Sequence, residues 1–536
     1  MGQGDAVTAV PGATLSRRAA LAAALAPLLA CNARPEIPGG FNGVSHERGH
    51  RLRAPAAPPG SDRAPPFATR RTRVLIAGGG IAGLAAARSL RLRGIDDFVL
   101  LELEDSAGGN SRGGNVGGIA CPLGAHYLPV PGDDAPHVQN LLEELGLRRR
   151  VSGRWQYDER HLCHSPQERL YFQGAWQEGL LPLRDVGAAT LAQYRRFSQR
   201  VVQAQKDARY CVPLANAPAA ASQLALDAMT FASWLDREQL ADPHLRWYLD
   251  YCCRDDYGAG IASVSAWAGI HYFASRHGFQ LAGDGPARDS VLTWPQGNGW
   301  LSERLAWPLG ERLRPGRVVL RIDTQRHGVE VDVHNAANGA TERWQADHCI
   351  VALPVFVAAR VVENAPPVLR EAAARIRQAP WVVANLHLRE PLIDRGGAAP
   401  AWDNVVYGSK GLGYVNARHQ SLDPTPGPTV LTWYRPLGDE REGRRLLLDQ
   451  QWTMWRDEML SELSVPHPDL ATKATRLEIT RYGHAMAVPV PGTLRAWTGH
   501  AALRTGRLSF AHSDWAGYSV FEEAFTLGHL AGMAVV

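Results

Sequence analysis

The stretch that decides the fold is Arg73-Val-Leu-Ile-Ala-Gly-Gly-Gly-Ile-Ala-Gly-Leu-Ala-Ala-Ala. An apolar run leads into glycines spaced GxGxxG and then into a helix-forming segment, a pattern typical of a strand, turn and helix that bind a dinucleotide diphosphate. Gly78 permits the tight turn, Gly80 lets the backbone approach the phosphates, and Gly83 lets the helix lie close to the strand.

The helix predicted after this turn would bind the anion with its N-terminus. Ile81 and Ala82 supply its first N–H groups, and the positive end of the helix dipole faces the same way. We expect the helix to run from Ile81 to about Arg93, because Gly94 follows and favours a helix end.

A second strand is predicted at Phe98-Val-Leu-Leu, and an acidic residue follows it directly. Glu102 lies about twenty residues past the glycines, where dinucleotide-binding folds place a carboxylate that binds the ribose. Glu104 and Asp105 compete for this role. We choose Glu102 because it stands at the strand end.

Composition and charge restrict the class of protein. The chain has 536 residues, of which 45% are hydrophobic and 21% charged, a globular composition long enough for two domains. A net charge of +4 is small for this length, so no nucleic-acid partner is expected. The seven cysteines match no zinc-ligand spacing, so no metal site is expected.

The N-terminal residues resemble an export signal. Ser16-Arg17-Arg18 precedes a weakly hydrophobic stretch, Ala19 to Ala30, which is too short to span a bilayer. The paired arginines indicate twin-arginine export. The stretch ends in Leu-Leu-Ala-Cys31, similar to a bacterial lipobox, so we expect an exported, periplasmic or cell-envelope protein that a lipid on Cys31 can anchor to the membrane.

The rest of the chain shows a change of pattern at several points. Strand-like alternation at 317–323 and 328–333 and an apolar run at 348–354 follow a mainly helical, aromatic region. We predict an α/β protein with these parts: a signal at 1–31, a Pro/Ala/Arg-rich tether at 32–72 in which Gly39 to Arg53 could dock onto the body, a first cofactor-binding part at 73–180, a helical insertion at 181–290, a second cofactor-binding part at 291–365, a substrate domain at 366–490 and a C-terminal cofactor-binding part at 491–536.

Three further motifs narrow the choice of cofactor. Gly108-Gly-Asn-Ser-Arg112 and Pro122-Leu-Gly-Ala-His-Tyr127 are glycine-containing loops whose amides can approach a long ligand. Near the C-terminus, the segment from Phe510 to Ala524 predicts a turn that runs into a helix.

Together these motifs resemble the flavin-containing amine oxidase superfamily. The resemblance is strongest at Arg73–Arg112, Trp294–Leu301, Val319–Pro354 and Leu508–Gly532. It implies an FAD-binding Rossmann-like domain with an interleaved α+β substrate domain and a helical insertion. The implied reaction is a two-electron oxidation of a C–N or C–C bond in a small molecule, with hydride transfer to flavin N5 and then to oxygen or a respiratory-chain component.

The resemblance also implies which residues contact FAD. Glu102 would bind the adenosine ribose, the backbone of Val319 the adenine, and Asp514 the phosphate and ribityl chain. The helix near Tyr518 would point its N-terminus at the pyrimidine edge of the flavin, where negative charge develops on reduction. The full implied set is Gly78, Gly80, Ile81, Ala82, Gly83, Glu102, Gly109, Asn110, Ser111, Arg112, Gly124, Ala125, Val319, Asp514, Tyr518, Ser519 and Val520.

The chain departs from the family at the catalytic lysine that many members carry. The matching stretch, Trp381-Val-Val-Ala-Asn-Leu-His-Leu, has no lysine, and Asn385 or Ala384 falls near the position. The chemistry therefore either differs from the usual amine oxidation or uses another group to order water. Candidate catalytic residues are His126, Tyr127, Asn385 and His484.

Residue type suggests a substrate pocket. The acidic pair Asp255 and Asp256 could attract a cationic amine or act as a base, or could be solvated helix-end charges. We expect two of six aromatic residues to contact a ligand: Trp402, Tyr407, Tyr414, Trp433, Tyr434 and Trp497. Two alternatives stay open, a desaturase or isomerase of an apolar isoprenoid-type lipid and a flavin-binding electron carrier without turnover.

Overall fold

A computed structural model describes residues 36–53, 68–276, 278–280, 290–423, 425–497 and 504–535. The described residues from Pro38 onward belong to one compact unit, and of the segment before Pro38 only residues 36 and 37 are described. The predicted arginine pair at 17–18 and the cysteine at 31 lie outside the described residues. In the described part, no helix combines the length and apolar character needed to cross a membrane.

The strands in chain order are β1 Gly39–Phe41, β2 Ala68–Ala77, β3 Phe98–Leu101, β4 Gly113–Val116, β5 Ile119–Pro122, β6 Tyr127–Pro129, β7 Arg148–Val151, β8 Arg154–Tyr157, β9 Glu168–Phe172, β10 Ala175–Glu178, β11 Val291–Thr293, β12 Leu313–Arg314, β13 Arg317–Gln325, β14 Gly328–Asn335, β15 Thr341–Val351, β16 Arg377–Leu388, β17 Asp403–Val406, β18 Tyr414–Asn416, β19 Thr429–Pro436, β20 Ala474–Val488, β21 Arg504–Thr505 and β22 Leu508–Phe510.

The helices are α1 His46–His50, α2 Ile81–Leu92, α3 Pro136–Glu144, α4 Ala188–Asp207, α5 Ala221–Asp227, α6 Phe231–Arg237, α7 Pro243–Tyr257, α8 Ala266–Ala274, α9 Gly299–Ala306, α10 Val355–Val361, α11 Pro367–Arg375, α12 Gly443–Asp449, α13 Trp452–Leu463, α14 Leu470–Lys473, α15 Thr493–Trp497 and α16 Phe521–Met533. Short 3-10 turns add Arg51–Arg53, Leu214–Asn216, Trp307–Arg312, Ala417–Gln420 and Ser513–Ala516.

The first large sheet contains the predicted dinucleotide-binding unit. Its strand order is β12-β3-β2-β15-β14-β13, and β22 also pairs with β15. The strands β3, β2, β15 and β22 run parallel, whereas β13, β14 and β15 form an antiparallel meander. The segment Val74–Ala77 is completely buried, as expected for a central parallel strand covered on both faces. The predicted strand, turn and helix are confirmed, with α2 ending at Leu92.

The second large sheet has the order β1-β20-β16-β19-β18-β17-β9-β10. Its strands come from three separate parts of the chain, 39–41, 168–178 and 377–488, so the two sheets are interleaved in sequence as the resemblance implies. β9 and β10 fall within 73–180 and belong to this sheet, where β9 pairs with β17 and β10 pairs with β9. The helices α4 to α8 pack on it through an aromatic core that includes Phe197, Phe231 and Phe273.

One segment of the predicted tether is docked onto the body as expected, and one predicted helix begins later than expected. Within the predicted tether, Gly39–Phe41 pairs with Leu477–Ile479 of β20, so the docking expected for Gly39–Arg53 is confirmed. The C-terminal helix begins at Phe521 instead of near Tyr518. Gly517 has a left-handed φ of +81°, and the Ser519 hydroxyl accepts a bond from the Ala487 N–H at 3.0 Å, which ties the segment before the helix to β20.

Candidate cofactor and active site

A cavity of about 1070 Å³ lies at the carboxyl ends of β2, β3 and β15. In parallel α/β sheets this edge is where ligands bind. The cavity is large for a small-molecule site, for which about 300–1,000 Å³ is usual. It extends from the glycine turn to a group of aromatic and acidic residues contributed by other parts of the chain.

The glycine turn has the geometry that its sequence predicts. Gly78 has a φ of +103°, which a residue with a side chain rarely adopts. A Cβ on Gly83 would lie 1.9 Å from the Gly78 carbonyl oxygen, so only glycine lets α2 approach β2 this closely. A Cβ on Gly80 would meet only the Gly109 Cα, at 3.9 Å, and would project toward open space. The N-terminus of α2 is therefore accessible from the cavity.

A second glycine loop lies against the first. The Gly108 N–H donates to the Gly79 carbonyl at 2.8 Å, and Gly109, with a φ of +59°, lies against Gly80. The Asn110 carbonyl accepts the Ala125 N–H at 2.8 Å, and the Asn110 amide donates to the Ala485 carbonyl. The two predicted loops are thus held together, and backbone forms this wall of the cavity.

Glu102 lies where the ribose carboxylate was predicted. Its Oε2 accepts the Gly79 N–H and its Oε1 accepts the Glu104 N–H, each at 2.8 Å. Burial raises the pKa of the Glu102 carboxyl to about 7, although both N–H bonds act in the opposite direction. Glu104 instead accepts the Ser45 N–H at 3.0 Å. Glu102 and Glu104 both line the cavity, and Glu102 is the one that is hydrogen-bonded to the glycine turn.

Three buried polar atoms of cavity-lining residues have no hydrogen-bond partner in the described part of the chain. They are Oδ1 of Asn298, Nε of Arg317 and Nε1 of Trp381. Asn298 is only 2% exposed, and its amide nitrogen donates to the Tyr127 carbonyl at 2.8 Å. A buried acceptor and a buried donor left unpaired are costly, so this wall suits a ligand rich in hydroxyl and carbonyl groups.

The inner end of the cavity has aromatic walls. His126 stacks on Tyr434 with ring centroids 4.5 Å apart and lies 5.3 Å from Trp402. Burial lowers the pKa of the His126 imidazole to about 3, so this ring is neutral at pH 7. The Tyr434 hydroxyl donates to the Gly124 carbonyl at 3.0 Å, which fixes the ring beside the loop that precedes His126.

Acidic residues of the helical insertion reach the same end. The Tyr127 hydroxyl donates to Oδ2 of Asp255 at 3.3 Å. The Asp256 carboxylate accepts two bonds from the Arg276 guanidinium, each at 3.2 Å. Burial, followed by repulsion from Asp256, raises the pKa of Asp255 to about 7. Arg276 therefore neutralises Asp256, while the Asp255 side chain accepts only the Tyr127 hydroxyl within the described residues.

Most of the predicted site residues line this cavity. Of the predicted cofactor and catalytic residues, those on its wall are Gly78, Gly80, Ile81, Ala82, Glu102, Gly109, Asn110, Ser111, Gly124, Ala125, His126, Tyr127, Val319, His484, Ser519 and Val520. His484 stacks on Phe356 with ring centroids 4.2 Å apart, and burial lowers the pKa of its imidazole to about 4.

Five predicted residues do not line the cavity. Gly83 packs α2 on β2, and the Arg112 guanidinium lies 3.9 Å from the Glu104 carboxylate. Asp514 accepts the Val355 N–H at 2.9 Å, so it holds the start of α10. Tyr518 donates to Glu523 at 2.7 Å, one layer behind the cavity wall.

Asn385 is the fifth of these residues. It is fully buried in the second sheet, where its Oδ1 accepts the Thr432 hydroxyl at 2.7 Å. The side chains of β16 that reach the cavity are Trp381 and Val383 instead. No lysine lines the cavity within the described part of the chain.

Of the six aromatic candidates, Tyr434 lines the cavity and Trp402 contacts the His126 ring. The other described rings have partners elsewhere: Tyr407 with His244, Tyr414 with His467 and Trp433 with Glu462. The side chain of residue 497 lies outside the described residues.

Several cavity residues escaped the sequence analysis. Arg276 belongs to no recognisable motif, and Trp381 and Glu522 stand in recognised stretches without an expected role. The packing of β16, α16 and the segment after α8 brings the three together. A second set comes from Val44 to Arg53, part of the segment for which the sequence indicated only docking onto the body.

The fold and the cavity are those of a dinucleotide-binding α/β protein. The chain matches the flavin containing amine oxidoreductase family over residues 81–535 and belongs to that family. It is an FAD-dependent oxidoreductase.

Named relatives are distant. The chain is 26% identical to flavin-containing amine oxidase B of Bos taurus over 350 residues, which are 62% of this chain and 59% of the bovine enzyme. It is 23% identical to a probable flavin-containing monoamine oxidase A of Dictyostelium discoideum over 478 residues, 83% of this chain and 93% of that protein. A putrescine oxidase structure with bound putrescine has a TM-score of 0.64 at 17% identity, covering 87% of this chain and 99% of the other, and this likeness shows the fold alone.

The residues present fit FAD. The open face of Gly80 and the exposed N-terminus of α2 suit a diphosphate, and Glu102 suits a ribose. The unpaired atoms of Asn298 and Arg317 lie on the same wall. The cofactor would thus extend along a wall built mainly from backbone.

Proposed function

We propose that the protein oxidises the carbon–nitrogen bond of an amine that is cationic in solution. When bound, FAD supplies the two-electron acceptor, which takes a hydride at N5 from the carbon that bears the nitrogen. The single observation that carries the proposal is that one cavity joins a dinucleotide cradle to an inner end with aromatic walls and an un-neutralised carboxylate, Asp255.

Charge favours the binding of an ammonium group. Three carboxylates line the inner end, Asp255, Asp256 and Glu522, but only one cation, Arg276, accompanies them on the described part of the wall there. Burial of an unpaired carboxylate is costly unless a cation approaches. The rings of Tyr127 and Tyr434 add faces that attract a cation. An amine that arrives as an ammonium ion would therefore be drawn to this end.

His126 suits the handling of the amine proton. Its imidazole is neutral because burial disfavours the charged form, and a neutral imidazole can accept a hydrogen bond or a proton. No described side chain hydrogen-bonds its ring nitrogens, so they are available to a ligand. The rings that flank His126 exclude water from the place where the substrate carbon would lie.

Anaerobic mixing of the purified yellow protein with amines tests the proposal. We expect aliphatic or aromatic amines to bleach the flavin absorbance, and admission of oxygen or of a quinone to restore it and identify the acceptor. Bleaching by micellar isoprenoid lipids but by no amine would contradict the proposal. So would retained FAD that no compound of either class reduces.

We also propose that the protein is exported and held at the membrane by a lipid on Cys31. The motif Leu-Leu-Ala-Cys31 after the paired arginines supports this. Mass spectrometry of the mature N-terminus checks it, and the variant Cys31→Ala should release the protein from membranes. A mature chain that begins elsewhere would contradict the lipid anchor.

A further inference from the structure

We propose that the segment Gly39–Arg53, called the clasp below, retains FAD by closing the adenosine end of the cavity. The clasp precedes the residues that match the family, which begin at 81. The inference needs only FAD in the cavity and is independent of the substrate.

One end of the clasp is attached to the second sheet. Gly39–Phe41 adds a parallel edge strand to β20, and the Asn42 N–H donates to the Ile479 carbonyl at 2.8 Å. The Arg481 guanidinium lies 3.7 Å from the centre of the Phe41 ring, within the range of a cation–π contact. Strand pairing and this contact fix the start of the clasp beside the cavity wall.

The other end of the clasp is attached to the first sheet. The Ser45 N–H donates to Oε1 of Glu104 at 3.0 Å. The Arg48 guanidinium donates to the Leu103 carbonyl at 3.1 Å and pairs with Asp105 at 2.8 Å. Leu52 packs against the apolar core beneath this sheet. The clasp therefore connects the two sheets across the edge where the cavity opens.

These contacts connect the clasp, through Glu104, to Glu102, the residue predicted to bind the ribose. Ser45 holds the Glu104 side chain, the Glu104 N–H holds one oxygen of Glu102, and the Gly79 N–H holds the other. The clasp is thus hydrogen-bonded to the carboxylates that end β3, where adenosine is expected.

The clasp also forms part of the cavity wall. Its residues on that wall are Val44, Ser45, His46, Gly49, His50, Leu52 and Arg53. The Arg53 side chain makes no ion pair with any residue in the described ranges, and its charge faces a cavity expected to hold a diphosphate. Release of FAD past this wall would require at least one of the two attachments to break.

The first test breaks the strand attachment with a matched control in the next residue. A Cβ on Gly39 would lie 2.1 Å from the Leu477 carbonyl oxygen, whereas a Cβ on Gly40 meets nothing within 4 Å. We expect Gly39→Val to detach β1 and Gly40→Val to leave it paired. The FAD dissociation rate, followed by recovery of flavin fluorescence, should rise at least about tenfold in Gly39→Val alone, since several strand hydrogen bonds are lost.

The second test breaks the opposite attachment. Ser45 has a φ of −87°, near the range proline adopts, so Ser45→Pro removes the N–H that Glu104 accepts with little change of backbone. Ser45→Ala keeps that N–H and is the control. We expect faster FAD release from Ser45→Pro, by roughly three- to tenfold, and wild-type release from Ser45→Ala.

Trypsin cleavage after the clasp arginines shows whether the clasp has detached, and thermal unfolding of the apoprotein shows whether the fold persists. Faster cleavage together with faster FAD release supports the proposal. Faster cleavage with FAD released at the wild-type rate would overturn it. If amines fail to reduce the flavin while the variants still differ in FAD release, only the proposed substrate class fails.

Discussion

The two ends of the cavity are built from different kinds of atoms, mainly backbone atoms at one end and side-chain atoms at the other. The adenosine end is formed largely by backbone: two glycine loops and the start of α2 present N–H groups, and Glu102 projects from a strand end. The inner end is formed by side chains, with His126, Asp255 and Tyr434 brought together from separate regions of the chain.

This difference has consequences for how each end tolerates substitution. In the backbone-built end, the effect of a side chain added at each glycine can be predicted separately. The added atoms would meet either other protein atoms or the open cavity. In the side-chain-built end, function depends on charge and protonation in a buried space. The first end should respond to added volume and the second to pH.

The largest effect on stability and FAD content is expected at Gly83, where an added side chain would meet backbone atoms. In Gly83→Ala the new Cβ would lie 1.9 Å from the Gly78 carbonyl oxygen, so α2 must move away from β2. We expect the apoprotein to lose about 2–3 kcal/mol of stability and the protein to be purified without FAD. Differential scanning calorimetry and the flavin absorbance check both. An unchanged apoprotein Tm would contradict the packing role of Gly83.

A substitution at Gly80 should weaken FAD binding without affecting the stability of the fold. In Gly80→Ala the Cβ meets only Gly109, at 3.9 Å, and the backbone φ of −71° suits alanine. We expect an unchanged apoprotein Tm and an FAD affinity weakened roughly ten- to hundredfold, since the methyl group would keep the diphosphate from the backbone. Titration calorimetry of the apoprotein measures it. Wild-type affinity would place the diphosphate elsewhere.

The same difference explains what the sequence could predict. The glycine spacing and the apolar strands are local patterns, so β2, α2, β3 and the position of Glu102 follow from a single stretch. The inner end has no local pattern, because Arg276 and Trp381 reach it only through the packing of distant elements. Asn385 was chosen because it falls near the position of the lysine that many family members carry. The direction of its side chain depends on the pairing with Thr432, which sequence does not show.

Asp255 should control the affinity for a cationic amine. In Asp255→Asn we expect KM to rise at least about tenfold, as for loss of a buried charge partner, with a smaller change in kcat. Asp185→Asn is the control, because the Asp185 side chain is 80% exposed. An equal loss of kcat and kcat/KM without a change in KM would contradict a binding role.

The pH dependence of KM tests the same carboxylate. Burial raises the pKa of Asp255 to about 7, so the carboxyl is neutral below that pH and charged above it. The wild-type KM for an ammonium substrate should therefore fall as pH rises through about 7. Asp255→Asn should show no such fall. A wild-type KM that is flat across this range would mean that another group attracts the amine.

The smallest effect is expected behind the inner end, at Glu523. Its Oε1 accepts both the Tyr518 hydroxyl and the Leu214 N–H, each at 2.7 Å, and burial raises the pKa of the carboxyl to about 7. Between its ordinary pKa of about 4.5 and this value, the folded protein keeps a proton that the unfolded chain has lost. This group therefore makes the free energy of unfolding fall as pH rises through that range, by at most about 1.4 kcal/mol per pH unit.

Glu523→Gln keeps an oxygen that can accept both bonds and removes the titration. Its stability should exceed that of the wild type by a difference that grows from about pH 4.5 to 7 and is constant above. Chemical denaturation across this range measures the difference, and Glu390→Gln, at a side chain 53% exposed, is the control. A difference independent of pH would show that the Glu523 carboxyl is already ionised in the folded protein. A charged carboxylate would then hold the Tyr518 layer, and the pH response expected of the inner end would be absent at this position.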